Sequence, residues 1–476
     1  MDLSVRVERE FLPFVTKPAR YLGNEYNTVH KKLSEVELRV ALCYPASYEE
    51  GMSDPSFEIL YYILNSLSPV WTERFFAPFP DAVDILKEKN IELFSLESKT
   101  ALNIFDVVMF ILRSESQYVD LLNMVNYGGI PSRSKNRTDQ HSIVIGAGLF
   151  KWNPEPVADF FDVVLTGAWY VNLLPLIDLT TKAKKGEWNR EQTLNYVSQL
   201  NGTYIPNHYK AEYNSFGEFS GLDRAAASTS VASPLQFESS DFQDNLSVDP
   251  LYPLIRTGGE TGGQWEAASI IGCDTKGNSD DFIAAFERQI QNYIGEDSVA
   301  LFVTTGFSVH IWKIVKQRIF FSNQELRFSF PLFEINDSEL LKGDLLSELQ
   351  RLGKDEPVWI YCGAGSPRLR SLTDQHYRDE DLCVLVSLLG KLGVSNVCLS
   401  FNVGLPMEKD EDITQLVGLI KRCAETNSSV RDSQLSFQIS PFVPHPFTML
   451  QWEGMETAHK LQGKYEILEK ELEPVG

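Results

Sequence analysis

The sequence predicts an α/β chain, a doubly wound sheet followed by a partial barrel of six βα units. Three observations carry this reading. Short apolar runs alternate with stretches of helical spacing through most of the 476 residues. The runs are continuously apolar, as parallel strands covered on both faces require. A segment of different composition, 215–250, separates two such series.

Residues 1–35 precede the pattern and are read as an N-terminal extension. The first series occupies 36–200, with strand candidates Val36–Tyr44, Arg74–Phe79, Ile91–Leu96, Phe105–Leu112, Ser142–Gly146 and Phe161–Leu165. Between them, Phe57-x2-Leu60-Tyr61-x2-Leu64 and Val119-x2-Leu122-x2-Val125 repeat at helical spacing. Strands alternating with helices give an open, Rossmann-like sheet whose ligands sit beyond the strand C-termini. Residues 201–262 are read as a linker or crossing segment. Ala225-Ala226-Ala227-Ser228-Thr229-Ser230 and Ser239-Ser240-Asp241 show little periodicity there.

The second series occupies 263–452. Its strand candidates are Ala267–Cys273, Ser298–Thr304, Leu326–Phe333, Pro357–Tyr361, Val394–Phe401 and Gln434–Phe442. Helices are expected at Asp280–Tyr293, Asp337–Leu352, Asp379–Leu392 and Asp410–Ala424, several opening on a residue suited to capping. Six units are too few for an eight-unit barrel. Periodicity does not separate a partial barrel from a second flat sheet, and in either the chemistry belongs on the loops after the strands. Residues 453–476 are read as a C-terminal helix.

With 43 Lys and Arg against 65 Asp and Glu, the formal charge is −22, which disfavours a broad nucleic-acid or anionic-membrane footprint. A hydrophobic share of 43% excludes a disordered chain. The opening residues carry Arg6, Glu8, Arg9 and Glu10 and lack the apolar core of a signal peptide. No window approaches the roughly 18 apolar residues of a membrane span. The expected location is cytoplasmic. Cys43, Cys273, Cys362, Cys383, Cys398 and Cys423 are too widely spaced for a Cys-x2-Cys zinc knuckle or a contiguous iron–sulfur triad. Four of them, Cys43, Cys362, Cys383 and Cys398, sit in apolar runs and read as small hydrophobes.

Several collinear runs carry a family resemblance. They are Arg20-Tyr21-Leu22-Gly23-Asn24-Glu25-Tyr26-Asn27, Tyr44-Pro45-x2-Tyr48-Glu49-x-Gly51-Met52-Ser53, Leu60-Tyr61-x-Ile63-Leu64-Asn65, Phe94-Ser95-Leu96-Glu97-Ser98 and Asn153-Pro154-Glu155-Pro156-x-Ala158-Asp159-Phe160-Phe161-Asp162. In the second series they continue as Gly365-Ser366-x-Arg368-Leu369-Arg370, Gly404-Leu405-Pro406-x-Glu408-x-Asp410-Glu411-Asp412 and Phe442-Val443-Pro444-x-Pro446-x-Thr448-x2-Gln451-Trp452. On these the chain resembles uncharacterised radical S-adenosylmethionine proteins with an N-terminal cobalamin-binding-like domain. The resemblance implies a barrel of radical S-adenosylmethionine type and a 4Fe–4S cluster held by Cys-x3-Cys-x2-Cys after the first barrel strand.

That loop departs from the family. It reads Ile271-Gly272-Cys273-Asp274-Thr275-Lys276-Gly277-Asn278-Ser279-Asp280, so Cys273 is a remnant and Gly277 and Asp280 stand at the next two cysteine positions. One thiolate cannot hold three irons, and a carboxylate is a poor substitute for a soft ligand. The relatives' Ala-Pro-Glu-Ala-Gly reads Tyr361-Cys362-Gly363-Ala364-Gly365, losing an acidic residue. The loop Tyr44–Gly51 lacks the axial histidine of many corrinoid proteins, which some relatives also lack. Gly167-Ala168-Trp169-Tyr170 replaces an acidic run, with Trp169 either filling a cofactor pocket or packing a helix start.

The resemblance implies cofactor contacts at Tyr44, Tyr48, Glu49, Gly51, Ser95, Glu97, Gly146, Asn153 and Glu155, and in the second series at Gly365, Arg368, Gly404, Leu405, Pro406 and His445. Cobalamin and S-adenosylmethionine are the cofactors it suggests; a 4Fe–4S cluster is expected of the family and not of this chain. Other motifs are weaker. Gly146-Ala147-Gly148 is half a phosphate-binding turn, and the glycine run Thr257–Gly263 lacks the ending of a Walker loop. The seven histidines form no closely spaced pair. Glu408, Asp410, Glu411 and Asp412 read as first-turn acidic residues, favoured by the helix dipole. The expected function is a divergent radical S-adenosylmethionine-like pseudoenzyme that binds a cofactor or a protein partner such as an intact paralogue. The alternative is a working corrinoid- or S-adenosylmethionine-dependent enzyme of the methyl-transfer class that does not rely on a cluster of its own. No catalytic residue is assigned.

Overall fold

The computed structural model describes residues 2–148, 154–166, 172–224 and 358–473, apart from single positions and the stretches 429–433 and 445–448. Between 225 and 357 it describes the backbone of three short strands. The chain divides into two compact units, Met1–Val299 and Ala300–Gly476.

In the first unit, strands β1 (Leu38–Tyr44), β2 (Val70–Phe76), β3 (Val107–Leu112), β4 (Ile143–Gly148), β5 (Val163–Leu165) and β6 (Thr203–Tyr204) form one sheet in the order β2-β1-β3-β4-β5-β6. All neighbours are parallel except β5 and β6. Every residue of β1 and β3 is buried, which is why β3 reads as an unbroken apolar run and β1 as one broken only by Arg39. On one face Leu38, Val40 and Leu42 pack with Phe57, Leu60, Tyr61 and Leu64 of a helix, Pro55–Ser66. On the other, Ala41, Cys43, Val108 and Phe110 meet Leu121, Met124 and Val125 of a second helix, Tyr118–Tyr127. Helices on both faces make the sheet doubly wound. A third helix, Pro80–Lys89, starts on a proline whose missing N–H costs nothing there and stops at Asn90 in the left-handed region. Its Ala82 and Leu86 pack on Val7 and Phe11, so the N-terminal extension is part of this unit.

Two expectations are corrected here. β2 begins at Val70, not Arg74; Glu73 and Arg74 interrupt its apolar run, yet both are fully buried. The run Ile91–Leu96 is not a strand and touches the sheet side chains as a turn-rich segment with a single bridge, Phe94 to Ala101. It lies along the open edge of β2 instead. Leu96 N–H donates to the Arg74 carbonyl at 2.9 Å, and Arg74 N–H donates to the Glu97 carboxylate at 2.8 Å. The segment's apolar residues are buried for that reason and not because they extend the sheet. A further difference falls at 209–224, inside the segment read as a linker. There Tyr209–Tyr213 and Phe219–Arg224 form an antiparallel hairpin, β7 and β8. Its first strand alternates Tyr209, Ala211 and Tyr213 with Lys210 and Glu212.

β9 (Trp265–Ala268) lies in the first unit and β10 (Ala300–Val303) in the second. The second unit's sheet has the order β11 (Phe333–Glu334), β12 (Val358–Ala364), β13 (Asn396–Val403), β14 (Gln434–Pro441), all parallel. One face carries Ile360, Leu399 and Phe401 onto two helices, Asp379–Lys391 and Asp410–Ser428, through Leu382, Leu385, Leu416 and Ile420. A last helix, Ala458–Leu472, is capped by Thr457 and buries Leu468 in the same core. The helix candidates Asp280–Tyr293 and Asp337–Leu352 lie outside the described residues, as do the linker residues 225–250. Among the described residues no helix is long and apolar enough to cross a membrane.

Candidate functional site

In the first unit the strand order reverses between β1 and β3, the place where an open α/β sheet takes its ligand. Tyr44 ends β1, Arg113 follows β3, and Asp54 precedes the helix Pro55–Ser66. The Arg113 guanidinium forks onto Asp54, with Nε to Oδ2 at 2.6 Å and Nη2 to Oδ1. Burial and the Asp54 charge push the Tyr44 phenol up, though Arg113 opposes them. The described part of this crevice thus holds a neutralised pair, buried Asp54 with half-buried Arg113, and the buried Tyr44 ring.

The neighbouring site candidates belong to the packing around β2. Glu49 accepts from Arg20 Nε at 2.8 Å and pairs with its Nη2 at 2.7 Å. Gly51 lies so close to Phe76 that a Cβ would sit 2.2 Å from its ring, and a Cβ on Gly146 would sit 2.9 Å from Phe161. Both glycines give room to an aromatic side chain of this chain. Glu155 is exposed, and its carboxylate reinforces the effect of burial in raising the Tyr204 phenol. A cavity beside Tyr48, lined by Phe11, Arg20, Phe76 and Phe79 among others, has about 20 Å³, room for about one water molecule.

Tyr48, Ser95 and Glu97 meet in two buried ionic clusters on opposite faces of β2. On one face Arg74, with no exposed side-chain surface, donates Nε to Glu97 and Nη2 to Glu25, each at 2.7 Å. Tyr48 Oη donates to the same Glu25 at 2.8 Å, and the Arg74 guanidinium lies over the Tyr61 ring. On the other face Glu73 pairs with Arg39 at 2.5 Å and accepts from Ser95 Oγ at 2.7 Å and Ser98 N–H at 3.0 Å. Lys99, in the left-handed region, donates to the carbonyls of Leu22 and Leu96, and burial lowers its ammonium to about 8. The three motifs at 20–27, 44–53 and 94–98 thus converge on Arg74. Sequence reasoning did not single out Arg74, Glu73 or Arg113; the available signal was a charge inside an apolar strand.

In the second unit the candidates gather at the C-terminal ends of β12 and β13. Gly365 follows β12, and a Cβ there would lie 2.5 Å from Leu416, so its bareness lets the helix Asp410–Ser428 approach. Ser366 caps the short helix Pro367–Leu372 and donates to Asp412 Oδ1 at 2.6 Å. Arg368 donates to Asp412 Oδ2 and, at 2.8 Å, to the Met407 carbonyl. Burial raises the Asp412 carboxyl, but Arg368, Ser366 and the Lys409 N–H together hold it below its ordinary value. Gly404 takes a φ of +77°, and its N–H donates to Glu408 at 2.9 Å while Lys464 Nζ holds the same carboxylate at 2.6 Å. Leu405 is buried with Ala364, Leu369 and Phe442, and Pro406 is half-buried. Glu408 and Asp412 are thus each matched by a cation and staple the turn. On the sheet face away from the helices, Asn402 Nδ2 donates to Tyr361 Oη at 2.6 Å, and Trp359 and Ser436, half-buried, stand on either side of Cys398, four residues before Asn402.

Asn153, His445, Trp169 and the loop of Cys273 lie outside the described residues. Among the described residues, no three His, Cys, Asp or Glu side chains are grouped to hold a metal ion. Cys43 and Cys362 are fully buried in strands, and burial pushes both thiols up.

The family model described as "Radical SAM proteins, N-terminal" matches residues 56–206. An uncharacterized protein of Methanocaldococcus jannaschii is 34% identical over 142 residues, which cover 30% of this chain and 30% of the relative. The chain therefore aligns with less than a third of that relative's length. Coproporphyrinogen III oxidase of Escherichia coli, a radical SAM enzyme by its description, matches 43% of this chain and 49% of its own at 14% identity and a TM-score of 0.33. The first unit is thus similar in sequence to the N-terminal part of radical SAM proteins.

Proposed function

We propose that this chain is a divergent radical SAM-like protein without a cluster of its own, which binds a nucleoside cofactor or a protein partner at the strand ends of its second unit. The donor set carries the proposal. The loop where relatives place three cysteines offers Cys273, Gly277 and Asp280, a single soft ligand. Cys43 and Cys362 lie in strand interiors with raised thiols, remote in chemistry from a thiolate ligand. A 4Fe–4S cluster does not fit these residues.

A corrinoid also finds little support in the described part of the first unit. The β1/β3 crevice is filled by Arg113, Asp54 and Tyr44, and the bare faces of Gly51 and Gly146 are covered by rings of the chain itself. The second unit suits a nucleoside better. Trp359 and Tyr361 supply aromatic surface, Asn402 supplies an amide, and Gly404, Leu405 and Pro406 form a turn fixed by Glu408. S-adenosylmethionine is the cofactor of this class that we propose, with Tyr361 against its base and Asn402 hydrogen-bonding it.

Anaerobic reconstitution with iron and sulfide tests the first half: well under one cluster per chain is expected. About four irons per chain, lost on Cys273→Ala, refutes it. Calorimetric titration with S-adenosylmethionine and, separately, cobalamin tests the second half. Saturable S-adenosylmethionine binding weakened at least tenfold by Asn402→Ala is expected; no binding refutes the small-molecule reading, and cobalamin binding alone moves the site to the first unit.

A further inference from the structure

Two helices of the second unit bring their cysteines into contact. Cys383 stands on Asp379–Lys391 and Cys423 on Asp410–Ser428, and their sulfurs are 3.8 Å apart across 40 residues of sequence. Cys423 is fully buried, whereas Cys383 is partly open to solvent. An ion-pair bridge keeps the helices in register beside them: Asp379, one turn before Cys383, pairs with Arg422, the residue before Cys423. The same Asp379 pairs with the buried Arg370, so the anchor extends to the short helix after β12. The second unit's other described cysteines, Cys362 and Cys398, are buried in adjacent strands.

We infer that Cys383 and Cys423 form a reversible disulfide, a modification site whose reactant is a low-molecular-weight disulfide such as oxidised glutathione. The exposure difference sets the order of events. The Cys383 thiolate attacks one sulfur of the glutathione disulfide, forming a mixed disulfide and expelling one glutathione thiolate. The Cys423 sulfur then attacks Sγ of Cys383 and expels the second glutathione, whose departing sulfur takes up the Cys423 proton. Two protein thiols are oxidised and one glutathione disulfide is reduced to two thiols, so two electrons pass in all. Closing the sulfurs from 3.8 Å to a bond of about 2.05 Å is a short movement between helices already held by the Asp379–Arg422 pair. The bond ties the helix Asp379–Lys391 to the helix Asp410–Ser428, which follows the turn that carries Gly404, Leu405 and Pro406. The inference is independent of the proposed cofactor.

The test equilibrates the reduced full-length chain with graded ratios of oxidised to reduced glutathione, blocks remaining thiols with an alkylating agent and maps the peptides by mass spectrometry. The expected product links Cys383 to Cys423, is reversed by dithiothreitol, and leaves Cys43, Cys362 and Cys398 alkylated only after unfolding. Hydrogen exchange in both helices should slow about tenfold or more in the oxidised form. Cys383→Ser should leave Cys423 reduced. Cys423→Ala should trap the glutathione adduct on Cys383; because Cys423 is buried, the half-exposed Cys383→Ser variant serves as the folding-safe control. A persistent glutathione adduct on Cys383 in the unmodified sequence, a link from either cysteine to Cys273, or two fully alkylated thiols at the most oxidising ratio each overturns the inference.

Discussion

Replacing Arg74 by methionine strips the cation from a cluster in which Glu25 and Glu97 have no exposed side-chain surface. Methionine fills much of the same volume, so the expected loss is electrostatic and not a cavity. Removing one partner of a buried ion pair costs about 3–5 kcal/mol, because the remaining charge has neither water nor a counterion. Here two carboxylates are orphaned, and Lys99, with its ammonium lowered to about 8, is committed to the carbonyls of Leu22 and Leu96. The folding equilibrium of the first unit should therefore fall by roughly two to four orders of magnitude. Against a typical domain stability of about 5–15 kcal/mol, that is a large share of the total. Urea-dependent hydrogen exchange, followed in peptides from β1 and β2, reads the change in the unit concerned. The triple variant Glu25→Gln, Arg74→Met, Glu97→Gln removes all three charges and should recover most of the loss. A cost below about 1 kcal/mol for Arg74→Met, or a triple variant no better than the single one, refutes the reasoning.

Three further outcomes follow from the packing and the charges. Gly146→Ala forces a Cβ to within 2.9 Å of the Phe161 ring and should destabilise the first unit by about 1–3 kcal/mol, read as a lower urea midpoint in the β4 peptide. Asp412 is held below its ordinary value, so its stabilising effect is complete above the ordinary carboxylate range and disappears as pH falls through the depressed folded value. The stability gap between the unmodified chain and Asp412→Asn should accordingly stay constant near neutrality and shrink in strong acid; a gap that grows on acidification contradicts the assignment. Lys99 runs the other way: its folded value of about 8 lies below the unfolded value of about 10.4, so the unfolded chain binds more protons in that window and stability rises with pH across it. Lys99→Met should flatten that rise in an alkaline denaturation series.

How much of this was legible in the sequence depends on where each signal is stored. β3 was readable because every residue is buried and apolar, β1 because Arg39 alone breaks its apolar run, and the helix from Asp410 because its acidic first turn and apolar spacing are local. β2 was read as Arg74–Phe79, displaced toward its C-terminus, because Glu73 and Arg74 look like a boundary when their partners are unseen. Those partners stand 49 residues before Arg74 at Glu25 and 23 after it at Glu97, a distance over which no spacing rule operates. Ile91–Leu96 was misread for a related reason: an apolar run that seals an edge has the composition of a strand that joins one. At the second unit's rim, Asp410, Glu411 and Asp412 do lie in the first turn of the helix, but Glu408 precedes it and is held by the Gly404 N–H and by Lys464, 56 residues on. The Cys383–Cys423 contact was invisible in the same way.

The sealed edge of β2 also constrains how the chain can be made. During synthesis β2 leaves the ribosome before Ser95, Leu96 and Glu97 exist, so for that interval its outer N–H and C=O groups face whatever is nearby and Arg74 lacks one of its two counterions. A nascent chain arrested between Phe76 and Phe94 presents an unpaired outer edge of β2, with Arg74 paired to Glu25 alone. A fusion or tag inserted within 94–100 would leave that outer edge of β2 unpaired and Arg74 with one carboxylate in the finished molecule.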